Sequence, residues 1–171
     1  TLNLLACPAC RGDLCYQGTD GDTLVNGSLV CRQCGAAYCL EDGIPRFAPA
    51  STLSGFNRRF AHLYDWFSWV YPAFSRIAFR VIGLSESRAR VDITGRLEPH
   101  GGRVLEISAG TGNNLPYLFQ RSDIGDVFAL DISPGQLARC RRLVRRKGWD
   151  VEMQQADAER LPFKDSLFAG V

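Results

Sequence analysis

Four cysteines in two Cys-x-x-Cys pairs, Cys7–Cys10 and Cys31–Cys34, stand 20 residues apart near the start of this 171-residue chain. At that spacing two knuckles on adjacent hairpins can place four thiolates tetrahedrally around Zn2+. The constraint is severe, because the chain between the pairs must double back as short antiparallel strands for the sulfurs to meet. Gly18, Gly21 and Gly27 punctuate the intervening polar and apolar runs, which read as hairpin strands. Gly12 and Gly35 stand just past each pair, where a knuckle often requires a positive φ. Cys15, Cys39 and Cys140 lie outside the tetrad. They are read as small buried apolar residues and not as nucleophiles, since no His stands near them in sequence.

The metal spacing argues against a secreted disulfide scaffold, although six of the seven cysteines fall in the first 39 residues. Thr1 in place of Met reads as a processed or engineered start. No signal peptide precedes Cys7, and no uncharged apolar stretch approaches the roughly 20 residues of a membrane span. The expected location is therefore cytoplasmic. At 46% hydrophobic and 22% charged residues, the composition is that of a folded soluble protein. Residues 1–50 carry a net charge of −2, residues 51–100 +3 and residues 101–171 +1. No segment has the strongly basic balance of a non-specific nucleic-acid binder, so RNA as a partner is unsupported.

Residues 48–55, small and punctuated by Pro and Gly, read as a linker. Phe56, Phe60, Leu63, Tyr64 and Phe67 then fall on one face of an amphipathic helix, with a second helical piece over about 73–82. Nine of the 18 aromatics lie between Phe56 and Phe79, a density read first as packing of these helices onto a sheet.

From residue 98 onward the pattern becomes strand, glycine turn, helix. The apolar run Val104 to Ile107 leads into Ser108-Ala109-Gly110-Thr111-Gly112, with a helical stretch starting near Asn113. Such a turn brings backbone N–H groups close to an anionic or polar cofactor group. The dinucleotide pattern G-x-G-x-x-G fails at Leu115. Nineteen residues after Gly112, a second apolar run ends in Asp131, where a βαβ unit presents a carboxylate to ribose hydroxyls. Ser133 and Pro134 are placed to cap and start the next helix. On that helix Leu137, Cys140, Leu143 and Val144 share one side, while Arg139, Arg141, Arg142, Arg145 and Arg146 form a solvated face; Lys147 and Gly148 suit its end. A third strand, Val151 to Gln155, leads to Asp157-Ala158.

Two resemblances follow. LACPACRGDL and LVCRQCGAAYCLEDGIPRF, with the closing Asp42-Gly43-Ile44-Pro45 turn, resemble the Trm112-like zinc ribbon family, which implies structural Zn2+ on Cys7, Cys10, Cys31 and Cys34. VLEISAGTGNNLPYL, ALDISPGQLARCRRL and QADAERLPF resemble the class I S-adenosylmethionine-dependent methyltransferases of the UbiE-like group and relatives that methylate phospholipid headgroups. The E-x-G-x-G-x-G pattern of that family is matched by Glu106, Gly110 and Gly112, with Ser108 at the usual first glycine. The resemblance implies a cofactor-binding set of Glu106, Ser108, Ala109, Gly110, Gly112, Asp131, Ile132, Asp157, Ala158 and Tyr64. Asp157 would reach the adenine amino group and Ala158 the ring through its backbone. The phrase Phe60 to Asp65 resembles the family's first helix, which makes His62, Tyr64 and Asp65 candidates to face the reacting centre.

The implied fold class is α/β: a Rossmann-like class I methyltransferase sheet, apparently truncated after strand 4, with a small N-terminal zinc-ribbon β module. The expected division is a ribbon over 1–48, a linker and helical connector over 49–97, and the first half of the S-adenosylmethionine-binding domain over 98–171. The fourth strand is expected to begin near Phe168, where Phe168-Ala169-Gly170-Val171 lacks the acid of the family's F-D-x-V phrase. The implied activity is methyl transfer to a small-molecule or lipid-like acceptor. The alternatives are a non-catalytic ribbon scaffold that activates a methyltransferase, and a ribosomal-RNA methyltransferase gripping RNA with its ribbon. The sequence assigns no catalytic residue, no oligomeric state and no acceptor atom.

Overall fold

The computed structural model describes residues 2–18, 25–48 and 85–171. After a short 3-10 turn over Leu2–Leu4, the ribbon is a four-stranded antiparallel meander. Strand β1 (Leu14–Gln17) pairs with β2 (Gly27–Cys31), and Leu14 faces Cys31 across the ladder. β2 pairs with β3 (Ala37–Glu41), which turns back into β4 (Ile44–Arg46) through Asp42-Gly43. Both turn residues are left-handed, at φ 54° and 78°, as a two-residue type I′ hairpin turn demands.

Helix α1 (Glu86–Gly95) is started by Ser85, whose side chain accepts the amide of Arg88. Beyond it come β5 (Val104–Ile107), the short helix α2 (Leu115–Leu118), β6 (Val127–Asp131), α3 (Pro134–Lys147) and β7 (Val151–Gln155). The three strands are parallel in the order β7-β6-β5, and every residue of central β6 is buried. That is why its sequence is a continuous apolar run. Ser133 caps α3 by accepting the Gln136 amide, and Gly148 closes it at φ 66°, both as the sequence indicates. Where the sequence places the start of a fourth strand, Gly170 forms an isolated parallel bridge to Val104, and the Leu105 amide donates to the Gly170 carbonyl at 3.0 Å.

The ribbon is joined to this sheet along the free side of β7. Arg46 of β4 pairs with Gln155 in parallel, and the Phe47 amide donates to the Gln155 carbonyl at 2.7 Å. The result is one seven-stranded sheet, β1-β2-β3-β4-β7-β6-β5, in which the ribbon covers an edge that β7 would otherwise expose. The N-terminal turn also reaches across, pairing Leu5 with Phe163 and donating the Ala6 amide to the Pro162 carbonyl.

Side-chain alternation divides the core into two layers. Phe128 and Leu130 face a cluster that includes ribbon residues Leu5, Cys7, Leu14 and Phe47. Val127 and Ala129 face the helices, where Leu115, Leu118, Leu137, Cys140 and Val144 pack. Phe128, Phe163 and Phe168 meet edge to face, with centroids 4.9–5.8 Å apart, and pin the loop after β7 beneath the sheet. Within the first layer Gln154 is fully buried, and its amide nitrogen and oxygen have no hydrogen-bond partner among the described residues.

Three local expectations change. In the first knuckle the left-handed residue is Arg11, at φ 67°, which corresponds to Gly35 at 72° in the second. Gly12 is needed for space instead: a Cβ there would stand 2.8 Å from Gln33 Cβ. Cys39 is exposed, because it lies on the outward side of β3, and its thiol faces Glu41 at 3.6 Å. Arg141, read as part of a solvated face, reaches back to Asp42 of the ribbon turn at 2.8 Å.

Candidate functional site

The four cysteines of the two knuckles converge. Their sulfurs all lie within 4.8 Å of one another, with Cys7 3.7 Å from Cys34 and Cys10 3.4 Å from Cys31. Four Zn–S bonds of about 2.3 Å imply sulfur separations of about 3.8 Å, so the cluster fits a tetrahedral ion. Cys7 and Cys31 are buried, Cys10 is half-buried and Cys34 is exposed. The backbone amides of Cys34 and Gln33 pull the Cys31 thiol down to about 6, outweighing its desolvation. Burial opposes ionisation of Cys7, but the Tyr38 hydroxyl, 3.2 Å away, and the knuckle amides lower it overall. At Cys10 the Gly12 amide favours the thiolate, yet hydrogen bonds with Cys34 and Cys31 push the thiol up to about 12. A cation at the centre of the cluster would favour the Cys10 thiolate that the neighbouring thiols disfavour.

The second cluster forms at the C-terminal ends of β5, β6 and β7, the edge at which open α/β sheets bind ligands. The chain leaves β5 through Ser108 (φ 57°), Gly110 (57°) and Gly112 (84°). Gly112 lets the turn lie against α3: a Cβ there would stand 2.9 Å from Cys140 Sγ and 3.0 Å from Leu115 Cδ1. Ser108 takes the same left-handed conformation with a side chain, which costs about 1 kcal/mol relative to glycine. This is the physical reason a glycine suits the position.

Asp131, at the end of β6, is only 6% exposed. Its Oδ2 accepts the Gly110 amide at 2.7 Å and its Oδ1 accepts the Ser133 amide at 2.8 Å, so the carboxylate ties the glycine turn to the start of α3. Ala109 is buried and donates its amide to the Leu130 carbonyl, while Ile132 is half-buried beside Asp131. At the end of β7, Asp157 is half-buried and its Oδ1 accepts the Glu159 amide at 3.0 Å. Ala158 is exposed and lines a groove of about 570 Å³ together with Pro8 and Arg11 of the ribbon.

Glu106 points into the same region from β5, one residue before the strand ends. Its Oε1 accepts the Asn114 amide nitrogen at 2.6 Å. Burial raises its carboxyl above the ordinary glutamate value, against the Asn114 hydrogen bond and the charge of Arg90. Cys140 is fully buried, and burial with the charges of Asp131 and Glu106 pushes its thiol up to about 12. It is therefore a packing residue, as the sequence reading has it.

The structure thus gathers Glu106, Ser108, Ala109, Gly110, Gly112, Asp131 and Ile132 around one turn, with Asp157 and Ala158 following β7 on the same edge. His62, Tyr64 and Asp65 lie outside the described residues. Sequence reasoning missed Asn114, Arg90 and Gln155. Asn114 and Arg90 meet across 24 residues, and Gln155 meets Ala48 across 107. No spacing rule carries such contacts; the N-cap position of Asn114 before Leu115-Pro116 is the one local signal.

Comparison with known proteins matches two segments of the chain to families. Residues 104–171 match the family described as a methyltransferase domain, and residues 1–43 match the Trm112p-like protein family. A demethylmenaquinone methyltransferase of Thermus thermophilus is 33% identical over 59% of this chain and 45% of its own. An uncharacterized chloroplastic methyltransferase of Arabidopsis thaliana is 24% identical over 98% of this chain and 53% of its own, so its match runs through both matched segments. A phosphatidylethanolamine N-methyltransferase of Cereibacter sphaeroides is 41% identical over 40% of this chain and 33% of its own. The chain therefore spans about a third to a half of the length of these relatives.

Proposed function

We propose that this chain, in which a Trm112p-like ribbon is built onto a methyltransferase domain, binds S-adenosylmethionine at the ends of β5, β6 and β7 and serves methyl transfer to a small-molecule or lipid-like acceptor. The observation that carries the reading is the buried Asp131 carboxylate holding the Gly110 amide in a turn whose residues Ser108, Gly110 and Gly112 are left-handed. When bound, S-adenosylmethionine supplies a methyl group activated on a sulfonium for in-line displacement.

The chain's own residues bind and orient. The two oxygens of Asp131 accept the Gly110 and Ser133 amides, which fixes the carboxylate at the strand end where a βαβ unit meets ribose hydroxyls. The turn from Ser108 to Gly112 exposes backbone to a ligand at close range. Glu106 offers Oε2, to which no hydrogen bond is made among the described residues, to a cationic amino group. In this reading Asp157 and the backbone at Ala158, which follow β7, are assigned to the adenine ring. Displacement at a sulfonium methyl needs alignment more than covalent help, so the absence of an assigned dyad or triad is consistent with the reaction.

Zn2+ on Cys7, Cys10, Cys31 and Cys34 is part of the same proposal, with a structural role: four protein ligands leave no open position for chemistry. The relatives named for a menaquinone precursor and for phosphatidylethanolamine support an acceptor with a polar head and an apolar tail.

The test is calorimetric titration of S-adenosylhomocysteine into the zinc-loaded chain. Micromolar binding that is lost in Asp131→Ala supports the site; a folded wild-type chain that takes up no ligand overturns it.

A further inference from the structure

Helix α1 lies against the glycine-turn unit with almost no apolar face. Thr94 is its one buried residue, while Val91 and Ile93 are 54% and 63% exposed. Two arginines fasten it instead. Arg121 donates to the Thr94 carbonyl and, at 2.8 Å, to the Leu97 carbonyl, holding the end of the helix. Arg90 donates to the Asn114 side-chain oxygen, and its guanidinium is itself held by Glu86 at 2.8 and 3.1 Å. The Arg90 side chain is 18% exposed, so the latch is largely screened from solvent.

We propose that Arg90 is a positioning residue for the pocket: it fixes the Asn114 amide so that its NH2 group donates to Glu106, and thereby holds the Glu106 carboxylate ready for a cationic ammonium group. The ammonium part of this inference rests on the cofactor reading given above.

The argument is one of donor and acceptor count. A side-chain amide has two nearly isosteric orientations, and an ionised carboxylate only accepts. With its oxygen engaged by the guanidinium, Asn114 presents only its nitrogen to Glu106. Without Arg90 the Asn114 oxygen loses its donor, and the amide is no longer held in the position from which it gives the buried carboxylate a charge-assisted hydrogen bond. The groups acting on Glu106 are Asn114 before α2 and Arg90 of α1, with Glu86 behind it; the buried Cys140 thiol of α3 in turn feels the Glu106 charge. Arg90 supplies the positive charge that favours the carboxylate.

Two readouts on the zinc-loaded chain test the proposal. S-adenosylhomocysteine is titrated over roughly pH 5 to 8 into wild type, Arg90→Met, Arg90→Lys and Asn114→Leu. Arg90→Met is expected to bind about tenfold more weakly at neutral pH with its acid limb moved to higher pH. Arg90→Lys restores part of the loss, and Arg90→Met costs less on top of Asn114→Leu than it does alone. Wild-type affinity and pH profile in Arg90→Met, or additive losses in the double variant, overturn the proposal. The second readout is carbon-13 NMR of the Glu106 carboxyl in the ligand-free chain, which is expected to titrate at higher pH in Arg90→Met. If the wild type takes up no ligand, the cofactor reading fails, and the NMR titration still decides the role of Arg90: an unchanged Glu106 overturns it. Arg96→Met removes an exposed ion pair with Asp92 on the same helix and is the control. If it shifts either readout as Arg90→Met does, the effect belongs to helix stability and the proposal falls.

Discussion

The side chain of Gln155 donates at 3.1 Å to the carbonyl of Ala48 and at 3.1 Å to that of Ile132, so one amide stitches the ribbon to the loop that follows Asp131. Its oxygen faces the Arg46 guanidinium at 3.3 Å, and its main-chain carbonyl receives the amides of Phe47 and Ala48. The residue is 6% exposed, so water cannot replace these partners. Gln155→Ala is expected to destabilise the chain by about 2–3 kcal/mol, because two carbonyls lose their donor inside the fold. Urea unfolding measures the cost, and a loss below about 0.5 kcal/mol would show that the junction relaxes.

Metal removal is expected to loosen more than the ribbon. Cys7 and Cys31 belong to the same buried cluster as Leu105, Phe128 and Leu130, and β4 pairs directly with β7. Chelation should therefore reduce hydrogen-exchange protection in β6 and β7 as well as in β1 and β2. Protection retained in β6 and β7 of the stripped chain would mean that the parallel strands hold without the ribbon.

The glycine turn makes opposite predictions at two positions. Ser108→Gly relieves a left-handed side-chain conformation and is expected to stabilise the chain by about 0.5–1 kcal/mol. Gly112→Ala adds a Cβ at φ 84°, 2.9 Å from Cys140 Sγ, and is expected to cost about 2–3 kcal/mol. Denaturation midpoints of the two variants check the pair; equal shifts would contradict the turn geometry.

Glu106 gives a pH dependence with a definite sign. Burial raises its folded-state pKa, so the folded chain holds the proton more tightly than the unfolded chain. The contribution of this group to stability is greatest below the ordinary glutamate value and is lost as pH rises through the raised one. Glu106→Gln is expected to raise Tm at neutral pH, to gain nothing at strongly acidic pH, and to weaken S-adenosylhomocysteine. A gain that is the same at both pH values would point to packing in place of charge.

By itself the sequence determined the short-range features of this protein. Two Cys-x-x-Cys pairs, the Asp42-Gly43 turn, the Ser108-to-Gly112 turn and the Ser133 and Gly148 caps are each set by a few neighbouring residues whose φ/ψ preferences and hydrogen bonds are local. Central β6 was legible because burial on both faces writes itself as the apolar run Val127 to Leu130, while β5 and β7, less fully buried, carry Glu106 and Glu152 within their runs. Tertiary structure alone decided how these pieces meet. β4 lies beside β7 because an exposed strand edge is covered by whichever backbone the folded chain brings to it, and backbone pairing leaves no residue code. The links from Arg90 through Asn114 to Glu106, and from Gln155 to Ala48 and Ile132, join residues distant in sequence through side-chain amides that fit many surroundings. Their roles arise only once the packed core has fixed where each donor and acceptor can point.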